Sequence, residues 1–184
     1  MKKAKPLYFL AVVPPEPVLT EVYAFKEIAA TRFESRRALR SPAHVTLVPP
    51  FRIDEQEHRA LLKAMHARLK HQPAFALTLS GFAAFPPRVI FVEVVPSPPL
   101  DQLYREAWSV MSATLGASMP ARPFHPHMTV AFKDLRRARF AEAWRYFSEI
   151  AYDRTFDVDH LVLFRHEPSG WETDVVIPFG ADRS

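Results

Sequence analysis

Phe124-His125-Pro126-His127-Met128-Thr129-Val130-Ala131-Phe132 is the stretch from which the rest of the chain can be read. As a strand its side chains alternate between faces, so His127 and Thr129 point one way while Met128 and Val130 point the other. An imidazole then stands beside a hydroxyl on one face of a backbone whose other face is apolar. The pattern recurs as Ala43-His44-Val45-Thr46-Leu47-Val48. Two strands that each offer one His and one Thr can face a single phosphate from opposite sides.

Chance is a poor explanation of the pair. Eight His and eight Thr in 184 residues give about 0.35 accidental His-x-Thr matches, and apolar neighbours cut that to under ~0.1. A lone strand histidine is usually structural. Two copies with the same neighbours, one in each half of the chain, point to chemistry.

Composition limits how a phosphate could be held. Gly is only 4 and Pro is 18 of 184, whereas average usage would give more Gly than Pro. Neither a Walker loop nor a dinucleotide fingerprint is present, so side chains rather than a Gly-rich backbone loop must do the work. Cys is absent, which excludes disulfides, thiolate metal sites and a Cys nucleophile. A formal net charge of +4 suits an anionic substrate or RNA.

Met1-Lys2-Lys3 followed by the apolar Leu7 to Val13 superficially resembles a signal peptide. Its apolar run is short and Pro14-Pro15 follow at once, so the stretch reads as a buried first strand. No run approaches membrane-spanning length. The expectation is a cytoplasmic protein with no membrane segment, no cofactor, no metal and no obligatory protein partner.

Outward from the motifs, Val18, Val22, Phe25, Ile28 and Ala29 recur at helical spacing after Pro17. Arg32, Arg36, Arg37 and Arg40 follow and read either as a solvated loop or as an RNA-facing rim. The first motif strand, His44–Val48, is expected to end at Pro49-Pro50. Asp54 and Glu57 form a capping-box pair before a helix carrying Leu61, Leu62, Met65 and Leu69; His58, His66 and His71 read as surface residues. Phe75–Phe85 and Arg88–Val95 form an antiparallel ribbon in which Gly81 marks a bulge or a close approach. Pro96–Pro99 is the best internal boundary, and Asp101–Leu115 is a helix. After the second motif, Asp134 can cap a helix through Phe140, Trp144 and Phe147. Thr155–Val158, His160–Arg165 and Trp171–Pro178 read as closing strands, the last two joined at Pro168-Ser169-Gly170. Each half places its His-x-Thr strand between two helices. The simplest account is one domain over 1–184: an α+β, bilobal, pseudo-duplicated fold whose two antiparallel sheets face each other across a central cleft, with helices outside.

Pro42-Ala43-His44-Val45-Thr46-Leu47 and Phe124-His125-Pro126-His127-Met128-Thr129-Val130 are similar to the paired signatures of the 2H phosphoesterases. The chain most resembles their bacterial 2′-5′ RNA ligase-like branch, which also acts as RNA 2′,3′-cyclic phosphodiesterases. The resemblance implies two facing antiparallel sheets with a metal-free site between them, and it implies that His44 and His127 share the acid and base roles.

Opening a cyclic phosphodiester needs a base for the attacking water and an acid for the departing alkoxide, and two imidazoles can supply both. Thr46 and Thr129 would donate hydroxyl hydrogen bonds to the non-bridging oxygens. Further candidates at the edge of the site are His125, Lys133 and Arg88, the last two as phosphate-neutralising cations. Phe82 and Phe85 could stack a base. His160 and His166 receive no role. The expected substrate is an RNA 2′,3′-cyclic phosphate end or a 2′-5′ linkage, with reverse 2′-5′ ligation open to the same site. The alternatives are a small cyclic phosphate of a nucleotide or ADP-ribose derivative, and a non-catalytic RNA- or phosphate-binding module.

Overall fold

Leu7–Val12, rich in aromatic and branched residues, forms β1, a central strand of the first of two sheets. The computed structural model describes residues 5–180; Met1-Lys2-Lys3 lie outside the described residues. After β1 come α1 (Val18–Phe33), a short 3-10 helix (Arg37–Arg40), β2 (Val45–Arg52), α2 (Glu55–Leu69), β3 (Phe75–Phe85) and β4 (Val89–Val94). They are followed by α3 (Pro98–Leu115), β5 (His127–Ala131), α4 (Arg137–Ser148), β6 (Asp153–Val158), β7 (His160–Glu167) and β8 (Gly170–Pro178). Two four-stranded antiparallel sheets result, in the orders β2-β1-β7-β8 and β5-β4-β3-β6.

The internal repeat is visible as β1-α1-β2 and β4-α3-β5, each a strand, a helix and an antiparallel motif strand at a sheet edge. The sheets do not follow the two halves of the chain. The chain leaves the first sheet after β2, builds all of the second, and returns as β7 and β8. Pro96–Pro99 falls inside the segment that builds the second sheet, between β4 and the body of α3. The lobes are further laced together by helices: α1 packs on β5 and α3 packs on β2.

Alternation sorts the side chains of each sheet. In the first, Tyr8, Leu10, Val12, Val45, Leu47, Leu161 and Leu163 enter the main core. The intervening Phe9, Ala11, Val162 and Phe164 form a separate apolar cluster on the other face, covered by Val13 and Trp171. Phe9 stacks on Phe164 at 4.7 Å between ring centroids and meets the edge of Trp171 at 4.6 Å. That apolar face becomes one wall of the cleft described below.

Four local expectations are corrected. β2 runs through Pro49-Pro50 to Arg52 instead of ending there, because an edge strand can carry Pro with its missing N–H facing away from the ladder. Asp134 does not cap α4, whose N-cap position is Arg136 with no side-chain bond. Its carboxylate instead accepts from Ser35 Oγ at 3.0 Å and from the backbone N–H groups of Arg36 (2.7 Å) and Arg37 (2.9 Å), tying the start of the 3-10 helix to the end of the second motif. His58 is half-buried: its Nε2 lies 2.6 Å from Asp174 of β8 and its ring packs on Tyr8, clamping α2 to the sheet. Phe82 is the fourth. Gly81 has φ +66 and donates its N–H to Tyr152 O at 2.7 Å, and the β3–β4 register shifts between Leu79 and Phe82. The added residue moves Phe82 to the core face, against Phe25 and Phe147. The capping box of Asp54 and Glu57 forms as expected.

Candidate active site

β2 and β5 are the edge strands of their sheets, and the two edges approach each other. Between them lies a cleft of about 670 Å³, lined by His44, Thr46, His127 and Thr129 together. Residues that are far apart in sequence thus share one cavity. Val45 and Leu47, and Met128 and Val130, point into the core on the opposite faces, so the apolar partners within each motif fix which way its His and Thr must point.

The same backbone device orients both imidazoles. His44 Nδ1 lies 2.8 Å from Pro42 O, and His127 Nδ1 lies 2.7 Å from His125 O. A carbonyl can only accept, so each Nδ1 carries the proton and donates it, which leaves Nε2 as the exchangeable nitrogen. In each motif the acceptor is the carbonyl two residues before the histidine. His44 packs on Phe9 at 4.8 Å; His127 packs on Phe91 at 5.0 Å and on Phe85 at 5.3 Å.

Neither motif strand is held by its own sheet alone. Trp108 of α3 donates its indole N–H to Leu47 O at 3.2 Å, inside the core. Tyr104, one turn earlier on the same helix, stacks on Phe124 at 4.0 Å with the rings 9° from parallel. One helix therefore braces β2 and the approach to β5.

Below His44 lies Lys26 of α1, only 1% exposed. Its ammonium donates to Ser41 O at 2.8 Å and to Pro42 O at 2.9 Å. Pro42 O therefore receives both Lys26 and His44. Burial pulls the Lys26 ammonium down to about 7. Burial is also the largest cause that pushes His44 down, to about 4; the Lys26 charge and His127 add to it, and the bond to Pro42 opposes it. His127 is lowered from 6.5 by burial first, with His125 and Arg122 adding to the effect and the bond to His125 O opposing it.

Among the remaining sequence candidates, His125, Lys133 and Phe85 line the cleft. Phe85 meets the His125 ring edge-on at 5.0 Å. Arg88 is exposed in the β3–β4 connection and does not line the cleft, although its neighbour Val89 does. Phe82 is excluded by the bulge at Gly81. The structure adds Phe9, Lys26, Tyr104, Arg122 and Trp171 to the walls. No periodic signal marks them, since each reaches the cleft through tertiary packing; a lysine on the apolar side of α1 was the one local anomaly. Among the described residues no group of three or more His, Cys, Asp or Glu is arranged to hold a metal ion, and no helix is long and apolar enough to cross a membrane.

Two facing antiparallel sheets with one His-x-Thr strand from each at a shared cleft define the class of the 2H phosphoesterases. The sequence profile of the 2′-5′ RNA ligase superfamily matches residues 14–170, and the chain belongs to that family. It is 33% identical over 132 residues to an RNA 2′,3′-cyclic phosphodiesterase of Geobacillus stearothermophilus, covering 66% of this chain and 40% of that one. The fold superposes on TT0787 of Thermus thermophilus with a TM-score of 0.72 at 22% identity, covering 96% of this chain and all of that one. It superposes equally on E. coli LigT in its apo form, with a TM-score of 0.72 at 18% identity over 97% of this chain and all of that one. The family makes this chain an enzyme of the phosphoesterase type.

Proposed function

We propose that this protein hydrolyses 2′,3′-cyclic phosphate ends of RNA, or 2′-5′ phosphodiester linkages, by acid–base catalysis with two histidines and without a metal ion. The observation that carries this reading is the matched Nδ1–H bond of His44 and His127 within one cleft. Each imidazole has its Nδ1 satisfied by backbone and its Nε2 left for proton transfer.

The two environments divide the roles. His44, pushed down to about 4, is neutral across the working range and takes a proton from the attacking water. His127, also lowered from its ordinary value by burial, supplies in its protonated form the proton that the departing ribose oxygen needs. Water oxygen bonds to phosphorus, the phosphorus bond to one ribose oxygen breaks, and the proton balance returns through solvent. Thr46 and Thr129 donate to the non-bridging oxygens, where charge is held in the transition state. With both proton transfers supplied by side chains, no metal-bound hydroxide is required. With an RNA 5′-hydroxyl in place of water as the attacking group, and with the 3′ oxygen as the group displaced and protonated, the same geometry opens the cyclic phosphate to a 2′-5′ bond. The cyclic phosphodiesterase activity named for the Geobacillus stearothermophilus relative supports this substrate class.

Hydrolysis of a nucleoside 2′,3′-cyclic phosphate in EDTA tests the proposal. Wild type should turn it over, and His44→Ala and His127→Ala should each lose at least about 10²-fold, the lower range for one proton transfer. Turnover that depends on added divalent metal, or that survives either substitution, would refute it. Binding of RNA without turnover in wild type would favour the binding module instead.

A further inference from the structure

Two arginine-rich stretches lie about a hundred residues apart in sequence, at 32–37 and 133–142, and Asp134 brings them together. Its carboxylate bonds the Ser35 hydroxyl and the backbone N–H groups of Arg36 and Arg37. Glu34, at the end of α1, reaches Arg136 at 3.5 Å and Arg139 at 3.8 Å. Arg32 lies over the Tyr146 ring at 4.2 Å. Within these two stretches seven cations stand against three carboxylates. That excess of four equals the formal net charge of the whole chain, +4.

Stability does not account for the arrangement. Arg136, Arg137 and Arg139 sit at the start of α4, which has no acidic residue in its first turn, and cations there oppose the helix dipole. Arg32, Arg36, Arg37, Arg136 and Arg137 are exposed, and their few surface ion pairs contribute little. The patch also borders the cleft. Ala38, which follows Arg37, lines it, as do Phe132 and Lys133, which precede Asp134.

We infer that this patch is the docking surface for the phosphodiester backbone of single-stranded RNA, so that the enzyme acts on the ends of chains in preference to mononucleotides. The inference rests on the reaction proposed above and extends its substrate from the reacting end to the nucleotides behind it. Arginine forks suit phosphate oxygens. A site of this kind reads backbone without sequence and weakens as salt rises.

The test compares wild type with an Arg36→Gln/Arg37→Gln/Arg136→Gln variant. Asp134 holds residues 36 and 37 through their backbone N–H groups, so these changes remove charge and leave that anchor in place. Two substrates are used: a ten-nucleotide oligoribonucleotide ending in a 2′,3′-cyclic phosphate, and 2′,3′-cyclic CMP. At low salt wild type should show kcat/KM at least about tenfold higher on the oligonucleotide, carried by KM, with a steep salt dependence. The variant should lose that advantage, with cyclic CMP turnover unchanged. Its log–log salt slope should be shallower by about 2, from three lost phosphate contacts at roughly 0.7 each on a single strand. Equal wild-type rates on both substrates, or an oligonucleotide advantage and slope that survive in the variant, would overturn the inference. If the triple variant fails to fold, Arg36→Gln and Arg136→Gln singly should each reduce the slope by about 0.7. If wild type turns over neither substrate, the reaction itself is refuted. Anisotropy of a labelled oligonucleotide with a 3′-phosphate then decides separately: weaker, less salt-sensitive binding by the variant supports the patch, and unchanged binding overturns it.

Discussion

The two motif histidines share a spacing and a backbone hydrogen bond, yet they stand in different surroundings. His44 lies against the Phe9 wall with the buried Lys26 ammonium sharing its carbonyl acceptor. His127 stands beside the exposed His125 and feels the Arg122 charge, and all three line the cleft. Duplication thus explains why two imidazoles converge. The different neighbours lower both imidazoles, His44 to about 4 with the Lys26 charge adding to its burial, and His127 by burial with His125 and Arg122 adding to it. In this fold, symmetry of the backbone carries asymmetry of proton affinity.

A change of leaving group should separate the two histidines most. A nitrophenyl phosphodiester releases a phenolate that needs no protonation, so the deficit of His127→Ala should shrink at least about tenfold on it. The deficit of His44→Ala should stay. Equal rescue of both variants, read from kcat, would show that the roles are not divided as argued. Next come the hydroxyls: Thr46→Val and Thr129→Val should each lower kcat by about 10–10², toward the lower range for losing one transition-state donor. A rise in KM alone would make them ground-state ligands.

A finer test is the pH dependence of kcat/KM, which reports the free enzyme. The base must be neutral, so the rate falls as pH drops through the His44 value of about 4. The acid must be protonated, so the rate falls as pH rises through the His127 value, which lies below 6.5. Lys26→Met removes a cation beside His44, so the acidic limb should move upward. It should stop short of an unperturbed imidazole because burial is the larger cause. The basic limb should stay in place. A variant whose two limbs move together would contradict the separation of the two sites.

Smallest is an effect on stability. Asp134→Asn keeps the size of the group but loses the charge-assisted bonds to three donors. It should cost about 1.5–3 kcal/mol in chemical denaturation, whereas Arg136→Gln on the exposed surface should stay within about 0.5 kcal/mol.

The facing of the motif residues was more legible than the walls of the cleft. His44, Thr46, His127 and Thr129 line one cleft, and their shared facing could be read because strand alternation is local: two residues apart means the same face. The capping box of α2 and the bulge at Gly81 were legible for the same reason. Phe82 was misassigned because one extra residue at the bulge reverses its face, which counting along an unbroken strand cannot register. Pro49-Pro50 misled because Pro stops a central strand and is tolerated at an edge, and edge position is a property of the finished sheet. Asp134 had the position of a helix cap but found three donors on another segment. Arg122 and Trp171 reach the cleft by packing between distant elements, and nothing in their neighbours announces it; Lys26 shows only as a lysine on the apolar side of α1. The exchange of β7 and β8 back to the first sheet was likewise hidden, since the order of elements along the chain suggests two separate halves.

In the proposed reaction one phosphorus atom sits between Nε2 of His44 and Nε2 of His127. A crystal structure with a uridine 2′,3′-cyclic vanadate, which mimics the five-coordinate transition state, measures this directly. Both Nε2 atoms should lie within about 3.2 Å of oxygens on opposite sides of the vanadium, with the Thr46 and Thr129 hydroxyls on the equatorial oxygens. Vanadate held by one histidine alone, or seated in the cleft beyond reach of both, would contradict it.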